Sequence, residues 1–170
     1  MDDLRAVTCC FSGYRAEKMP FSADDSARTA ALAARLDEAV SRAAAAGFRR
    51  FFTGMATGFD LWAAEAVLRA RQSSEIQLLC AIPFEQQAQH FPPDWQRLFN
   101  RVLLAADQVF LLAQDYHSGC YAARNRFMIE RSAHLICYYD GQPGGTAQTV
   151  RMARAAGLTI DNTAEMQLHL

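Results

Sequence analysis

The sequence predicts an α/β fold: a Rossmann-like three-layer α/β/α sandwich on a mostly parallel sheet. Three observations carry that prediction. Short β-prone runs alternate with helix-periodic segments along the chain. The strand runs are continuously apolar, as strands covered on both faces are. Three of them end in glycine turns that lead towards helices, at Gly13, at residues 54–58 and at Gly144-Gly145.

The length of 170 residues suits a single domain over residues 1–170 with a core of its own. A hydrophobic share of 51% with 21% charged residues excludes both a disordered chain and a membrane bundle. The formal net charge of -1 gives no general attraction to nucleic acid, which is therefore not the expected partner. No apolar run is long enough to span a bilayer, and Met1-Asp2-Asp3-Leu4-Arg5 opens no signal-like segment. A cytoplasmic location without a membrane partner is expected.

The five cysteines, Cys9, Cys10, Cys80, Cys120 and Cys137, show no CxxC spacing for zinc or redox chemistry. Four lie in strand runs and read as buried thiols. Cys120 lies in a loop-like Ser118-Gly119-Cys120, where it could be exposed. Neither a metal nor a cofactor is called for.

In order, Ala6-Val7-Thr8-Cys9-Cys10-Phe11 is the first strand, and Ser12-Gly13-Tyr14-Arg15 its turn. Arg15 is either a bidentate ligand for phosphate or carboxylate, or an ordinary loop arginine. Ser22 reads as an N-cap with Asp24 and Asp25 in the first turn of a helix. That helix carries Leu32, Leu36, Ala39, Val40 and Ala43 on one face and closes at Gly47.

Phe48-Arg49-Arg50-Phe51-Phe52-Thr53 is the second strand, followed at once by a glycine-punctuated turn and a helix. Backbone N–H groups in such a turn can hold an anion. Trp62 belongs to an apolar stripe and reads as core, with a base-stacking platform as the alternative. Asp60 suits the positive helix end with or without a ligand. Glu65 and Arg69 have the spacing of a surface pair.

The third strand is Ile76-Gln77-Leu78-Leu79-Cys80-Ala81-Ile82, stopped by Pro83. A helix opens at Pro92-Pro93 and runs through Ala105. Residues 107–112 form the fourth strand, and a polar, aromatic loop over 113–121 precedes a helix with Arg124, Asn125, Met128 and Arg131. His117 in that loop reads as a solvated residue, with a functional role as the alternative. His134-Leu135-Ile136-Cys137-Tyr138-Tyr139 is the fifth strand, and Gly144-Gly145-Thr146 opens a helix ending at Gly157. A last strand over 158–161 and a loosely attached tail over 162–170 complete the chain.

Four segments together resemble the SLOG superfamily in its YpsA-like branch. They are Phe11-Ser12-Gly13-Tyr14-Arg15-Ala16-Glu17-Lys18-Met19-Pro20, residues 54–65, Arg124-Asn125-Arg126-Phe127-Met128 and Gly144-Gly145-Thr146-Ala147. The Gly-x-x-x-Gly-x-Asp-x-Trp-Ala-Ala-Glu pattern, here Gly54, Gly58, Asp60, Trp62 and Glu65, is specific to that branch. The resemblance implies a Rossmann-like domain binding a nucleotide or nucleotide-derived ligand, ADP-ribose-like compounds included. The superfamily also holds the LOG phosphoribohydrolases and the DNA-processing protein DprA.

Arg124 resembles the catalytic arginine of LOG enzymes, and Pro143-Gly144-Gly145-Thr146 a shortened form of their Pro-Gly-Gly-x-Gly-Thr-x-x-Glu motif. Where that motif ends in glutamate, this chain has Thr149. Where the branch more often has histidine after the first glycine, this chain has Tyr14, which does not titrate near neutral pH.

The expected ligand site is thus Gly13, Tyr14, Arg15, Gly54, Gly58, Asp60, Arg124, Asn125, Gly144, Gly145 and Thr146, in a sensor or regulatory module. The alternative is a nucleotide N-glycosidase using Asp60, Glu65 and Arg124. Single-stranded DNA binding lacks the basic, aromatic-interleaved stripe it needs. Homo-oligomerisation is compatible with the resemblance.

Overall fold

A computed structural model describes residues 3–165. After a 3-10 turn at Leu4–Val7 come β1 (Thr8–Ser12), a second 3-10 turn at Ala16–Lys18, α1 (Ser26–Ala45) and β2 (Arg50–Thr53). They are followed by α2 (Phe59–Ala70), β3 (Gln77–Ile82), α3 (Pro93–Ala105) and β4 (Gln108–Leu111). The chain continues with α4 (Cys120–Glu130), β5 (His134–Cys137), α5 (Gly145–Ala155) and β6 (Thr159–Asn162).

The six strands form one sheet in the order β4-β3-β2-β1-β5-β6, and every pairing is parallel. The chain walks outward from β1 to β4, then returns to the other side of β1. The topological switch therefore lies between β1 and β5, where Ser12 and Cys137 are in register. The crossovers leaving these two strands run to helices on opposite faces of the sheet, α1 and α5, which opens a crevice at their carboxyl ends.

Successive side chains feed two cores, as the pleat requires. Cys9, Phe11, Phe51 and Leu78 face α1 and α2. Cys10, Phe52, Leu79 and Leu135 face Met128 and Ile129 of α4 and Val150 and Ala153 of α5. Among the described residues no helix is long and apolar enough to cross a membrane.

Several local expectations are corrected. The α1 N-cap is Asp25, whose side chain accepts from Arg28 N, and no acid lies in the first turn. Ser22 accepts instead from Asp24 N, closing a tight turn before the helix. At the other end Gly47, with φ +104°, does terminate the helix, and Phe48 N donates back to Ala43 O. That bond keeps Phe48 out of β2.

The strand β4 is not covered on both faces: Val109 and Leu111 are exposed, because α3 packs on α2 rather than over this edge. Glu65 and Arg69 do not pair. Set between two helices, Glu65 reaches Arg101 on α3 at 3.0 Å, and Arg69 reaches Asp37 on α1 at 2.8 Å.

Trp62 packs between Phe21 and Trp95. Cys120 is buried like the other four thiols, because it begins α4 rather than ending a loop. Burial pushes the Cys10, Cys80 and Cys137 thiols up to about 12. Residues 162–165 are tied down, Thr163 bonding Cys137 O through both N and Oγ1, while Arg35 Nε donates to Thr163 O. The rest of the expected tail lies outside the described residues.

Candidate functional site

The turns after β1 and β2 dock backbone to backbone. Gly58 has φ +80°, and a Cβ there would stand 2.6 Å from Ala16 N and 2.8 Å from Tyr14 O. Phe59 N donates to Tyr14 O, and Ala16 N donates to Thr57 Oγ1. A Cβ on Gly13 would fall 2.3 Å from the Phe59 ring. The turns after β1 and β5 are joined by Tyr14, whose hydroxyl donates to Asp140 Oδ1 at 2.6 Å and accepts from Asp140 N. Burial, then the bond to Asp140, pushes the Tyr14 phenol up to about 12.

Behind these turns sits a buried pair of opposite charges. Arg124, on α4, donates from Nη1 to Gly54 O and from Nε to Asn125 Oδ1 at 2.8 Å. Asp60, in the first turn of α2, accepts from Ala56 N at 3.3 Å, while its carbonyl accepts from Thr53 Oγ1. Burial raises the Asp60 carboxyl above its ordinary range, opposed by the nearby Arg124. Burial likewise lowers Arg124, opposed by Asp60. In the same turn Met55 is held at φ +64°, a conformation costing an unbranched side chain about 1 kcal/mol or more.

The crevice is a cavity of about 380 Å³. It brings together Gly13, Tyr14, Arg15, Asp60, Arg124, Asn125, Gly144, Gly145 and Thr146. Gly54 and Gly58 are not on its wall; they are packing glycines one layer behind. Glu65 is directed to Arg101 and is not a lining residue. His117 is exposed, with Nδ1 near Ser118 O, as a solvated loop residue would be.

Sequence reading missed Lys18, Tyr121 and Gln142 on the cavity wall. Tyr121 holds two guanidiniums, with Arg15 Cζ 4.5 Å and Arg124 Cζ 5.8 Å from its ring centroid. Its signal was its place at the end of the polar, aromatic loop. Lys18 is brought back by the 3-10 turn at Ala16–Lys18, which no short-range pattern announces.

At the carboxyl edge α2, α4 and α5 all begin without a side-chain cap, and they differ in what their turns already bond. At α2 the turn is already occupied: Met55 N goes to Thr53 Oγ1, Ala56 N to Asp60 and Phe59 N to Tyr14 O. At α5 no side chain caps the terminus, and Gly144 enters it at φ +140°. Thr149 Oγ1 donates to Gly145 O, so its hydroxyl is bound within its own helix. The α5 N-terminus shares one cavity with Arg15, Lys18 and Arg124, an arrangement chemically able to receive an anion. Among the described residues no cluster of three or more His, Cys, Asp or Glu side chains converges as a metal centre would require.

Sheet order and crevice define the class: an open, doubly wound α/β protein with a cationic cleft at its topological switch point. The chain belongs to the YspA SLOG family (YpsA), whose model matches residues 9–167. This confirms the resemblance drawn from the motifs.

Among its relatives, a UPF0398 protein of Listeria monocytogenes is 31% identical over 91 residues, covering 52% of this chain and 50% of that protein. A UPF0398 protein of Halalkalibacterium halodurans is 28% identical over 112 residues, covering 64% and 59%. The SPbeta prophage-derived protein YoqJ of Bacillus subtilis is 25% identical over 118 residues, covering 62% and 69%. The chain spans about half the length of the first UPF0398 proteins it matches, 48% in Macrococcus caseolyticus.

Among solved structures, DNA processing protein A (DprA) of Streptococcus pneumoniae superposes with a TM-score of 0.67 at 16% identity, over 99% of this chain and 54% of that one. TM1055 gives a TM-score of 0.54 at 13% identity, over 90% and 71%. These likenesses show a shared fold.

Proposed function

We propose that the cleft between β1 and β5 binds a nucleotide or nucleotide-derived ligand through its phosphate, and that the protein is a sensor or regulatory module. The observation that carries this reading is the uncapped α5 N-terminus at Gly144-Gly145-Thr146, lined up with Arg15, Lys18 and Arg124 in one cavity. Phosphate accepts from the Gly145 and Thr146 N–H groups, and the guanidiniums supply charge. Asp60 accepts from a ribose hydroxyl, while Asn125 fixes the Arg124 head group. A volume of about 380 Å³ is of the order of small-molecule sites. ADP-ribose-like ligands fall within this class.

Calorimetric titration with AMP and ADP-ribose tests the reading. Binding weakened about tenfold or more in Arg124→Lys, with folding retained, supports it. No heat with either compound at millimolar concentration overturns it. Homo-oligomerisation is part of the same proposal, and size-exclusion with light scattering measures it.

One observation favours a second reading, an N-glycosidase. Asp60 is a cavity carboxyl whose protonated form is favoured by burial, as a general acid's is. Against it, Thr149 bonds Gly145 O where the LOG motif has glutamate, and Glu65 faces Arg101. Chromatography for free base after incubation with nucleoside monophosphates decides: release establishes turnover, and no release across the common nucleotides removes this reading. The related fold of Helicobacter pylori DprA is described as binding single-stranded DNA. A salt-dependent mobility shift would extend that to this chain.

A further inference from the structure

We infer that a second, aromatic chamber beside the cleft receives the planar ring of the ligand, a nucleobase carrying an exocyclic amino group. This rests on the phosphate-site reading above, and it adds where the rest of the ligand goes.

The chamber has a volume of about 750 Å³ and shares Arg15, Ala56 and Tyr121 with the phosphate cleft. Its other walls come from the segment between β3 and α3, and from the loop between β4 and α4. Phe84, Phe91, Trp95 and Tyr116 supply aromatic surface. Phe84 meets Tyr116 and Tyr121 edge to face, with centroids 5.5 and 6.1 Å away. Tyr116 is nevertheless 62% exposed, so this aromatic surface is not used up by the core. Such faces and edges are what a stacked base is held by.

Arg15 stands where the two compartments meet. Its guanidinium lies over Tyr121, within reach of a phosphate on one side and of a ring on the other. A ligand with phosphate and ring joined by a sugar has the right sequence of parts for the two compartments.

Gln87 gives the amino-group preference. Its Nε2 donates to Gly54 O at 3.0 Å, and because a carbonyl only accepts, the amide orientation is fixed. Its Oε1 is then a buried acceptor without a hydrogen-bond partner, on a residue lining the chamber. A buried unpaired acceptor is costly, and a ligand N–H would complete it. Gly54 O also accepts from Arg124, so Gln87 and the phosphate-site arginine share one carbonyl.

The test titrates the full chain with AMP, purine ribonucleoside 5′-monophosphate (which lacks the amino group and any base N–H) and ribose 5-phosphate, in the wild type and in Tyr116→Ala, a substitution at an exposed position. AMP should bind about tenfold or more tighter than ribose 5-phosphate. Tyr116→Ala should weaken AMP by about tenfold and leave ribose 5-phosphate unchanged. With Trp62→Phe as background, AMP but not ribose 5-phosphate should change the Trp95 fluorescence. Equal affinity for AMP and ribose 5-phosphate, with both binding, overturns the chamber while leaving the phosphate site intact. Equal affinity for AMP and purine ribonucleoside 5′-monophosphate overturns the role of Gln87. Binding by none of the three overturns both the site and the chamber.

Discussion

Arg124 and Asp60 crowd one point: the position a Cβ on Gly54 would occupy lies 2.7 Å from Arg124 Nη1 and 2.8 Å from Asp60 Oδ2. Glycine at 54 is thus what allows a buried guanidinium and a buried carboxylate to sit together behind the cleft. Burial opposes the charged form of each, so the pair does little for stability on its own account. Its value lies in presenting a cation to the cavity at a fixed place.

Gly54→Ala should therefore cost about 1–3 kcal/mol of stability, the range for overpacking a closed site. Chemical denaturation measures the loss. The same variant should lose nucleotide binding even at temperatures where it remains folded, because Arg124 cannot keep its place.

The pair should also show itself as coupled. Asp60→Asn and Arg124→Met each leave one buried charge less compensated, so each should destabilise. The double variant should be more stable than the sum of the two effects predicts, by about 1–3 kcal/mol. A double-mutant cycle read by urea unfolding checks this, and additive effects would mean the two side chains ignore each other.

A pH dependence is expected away from the cleft. His134 stacks on Phe48 and shares a hydrogen bond with Thr159 Oγ1, and burial lowers its pKa below 6.5. The unfolded chain then binds the proton more readily than the folded one. The contribution is present above 6.5 and is lost as the pH falls from there through the lower folded value. Thermal melts should show His134→Gln with a smaller loss of stability than the wild type over that interval.

Much of the fold was legible because it is written in short-range pattern. The apolar runs at Cys9 to Phe11 and Leu78 to Ile82, and the turns at Gly13 and Gly144, announce strand, turn and helix within a dozen residues. The Arg124-Asn125 and Gly144-Gly145-Thr146 motifs likewise marked residues that the fold gathers into one cavity. What escaped depends on neighbours distant in the chain. Glu65 had a partner four residues away by spacing, yet its partner is Arg101 on another helix. Val109 and Leu111 read as buried, but whether a helix covers an edge strand is decided by where α3 packs.

The glycines divide for the same reason. Gly54 and Gly58 were read as anion-binding because of their turn, but their space is filled by Arg124, Asp60 and the backbone of residues 14–16. A Cβ on Gly145, by contrast, would meet nothing within 4 Å. Nothing in the protein's own packing explains glycine there, which fits a position kept open for a ligand.

That contrast gives the most direct test of phosphate binding at α5: calorimetric titration of ADP-ribose into the wild type and Gly145→Ala, with melting temperatures measured alongside. Since the added methyl meets no protein atom, stability should change by no more than about 0.5 kcal/mol. Affinity should fall about tenfold or more, because the methyl stands where phosphate approaches the helix N-terminus. Equal binding by the two proteins, with equal stability, would contradict phosphate seating at α5.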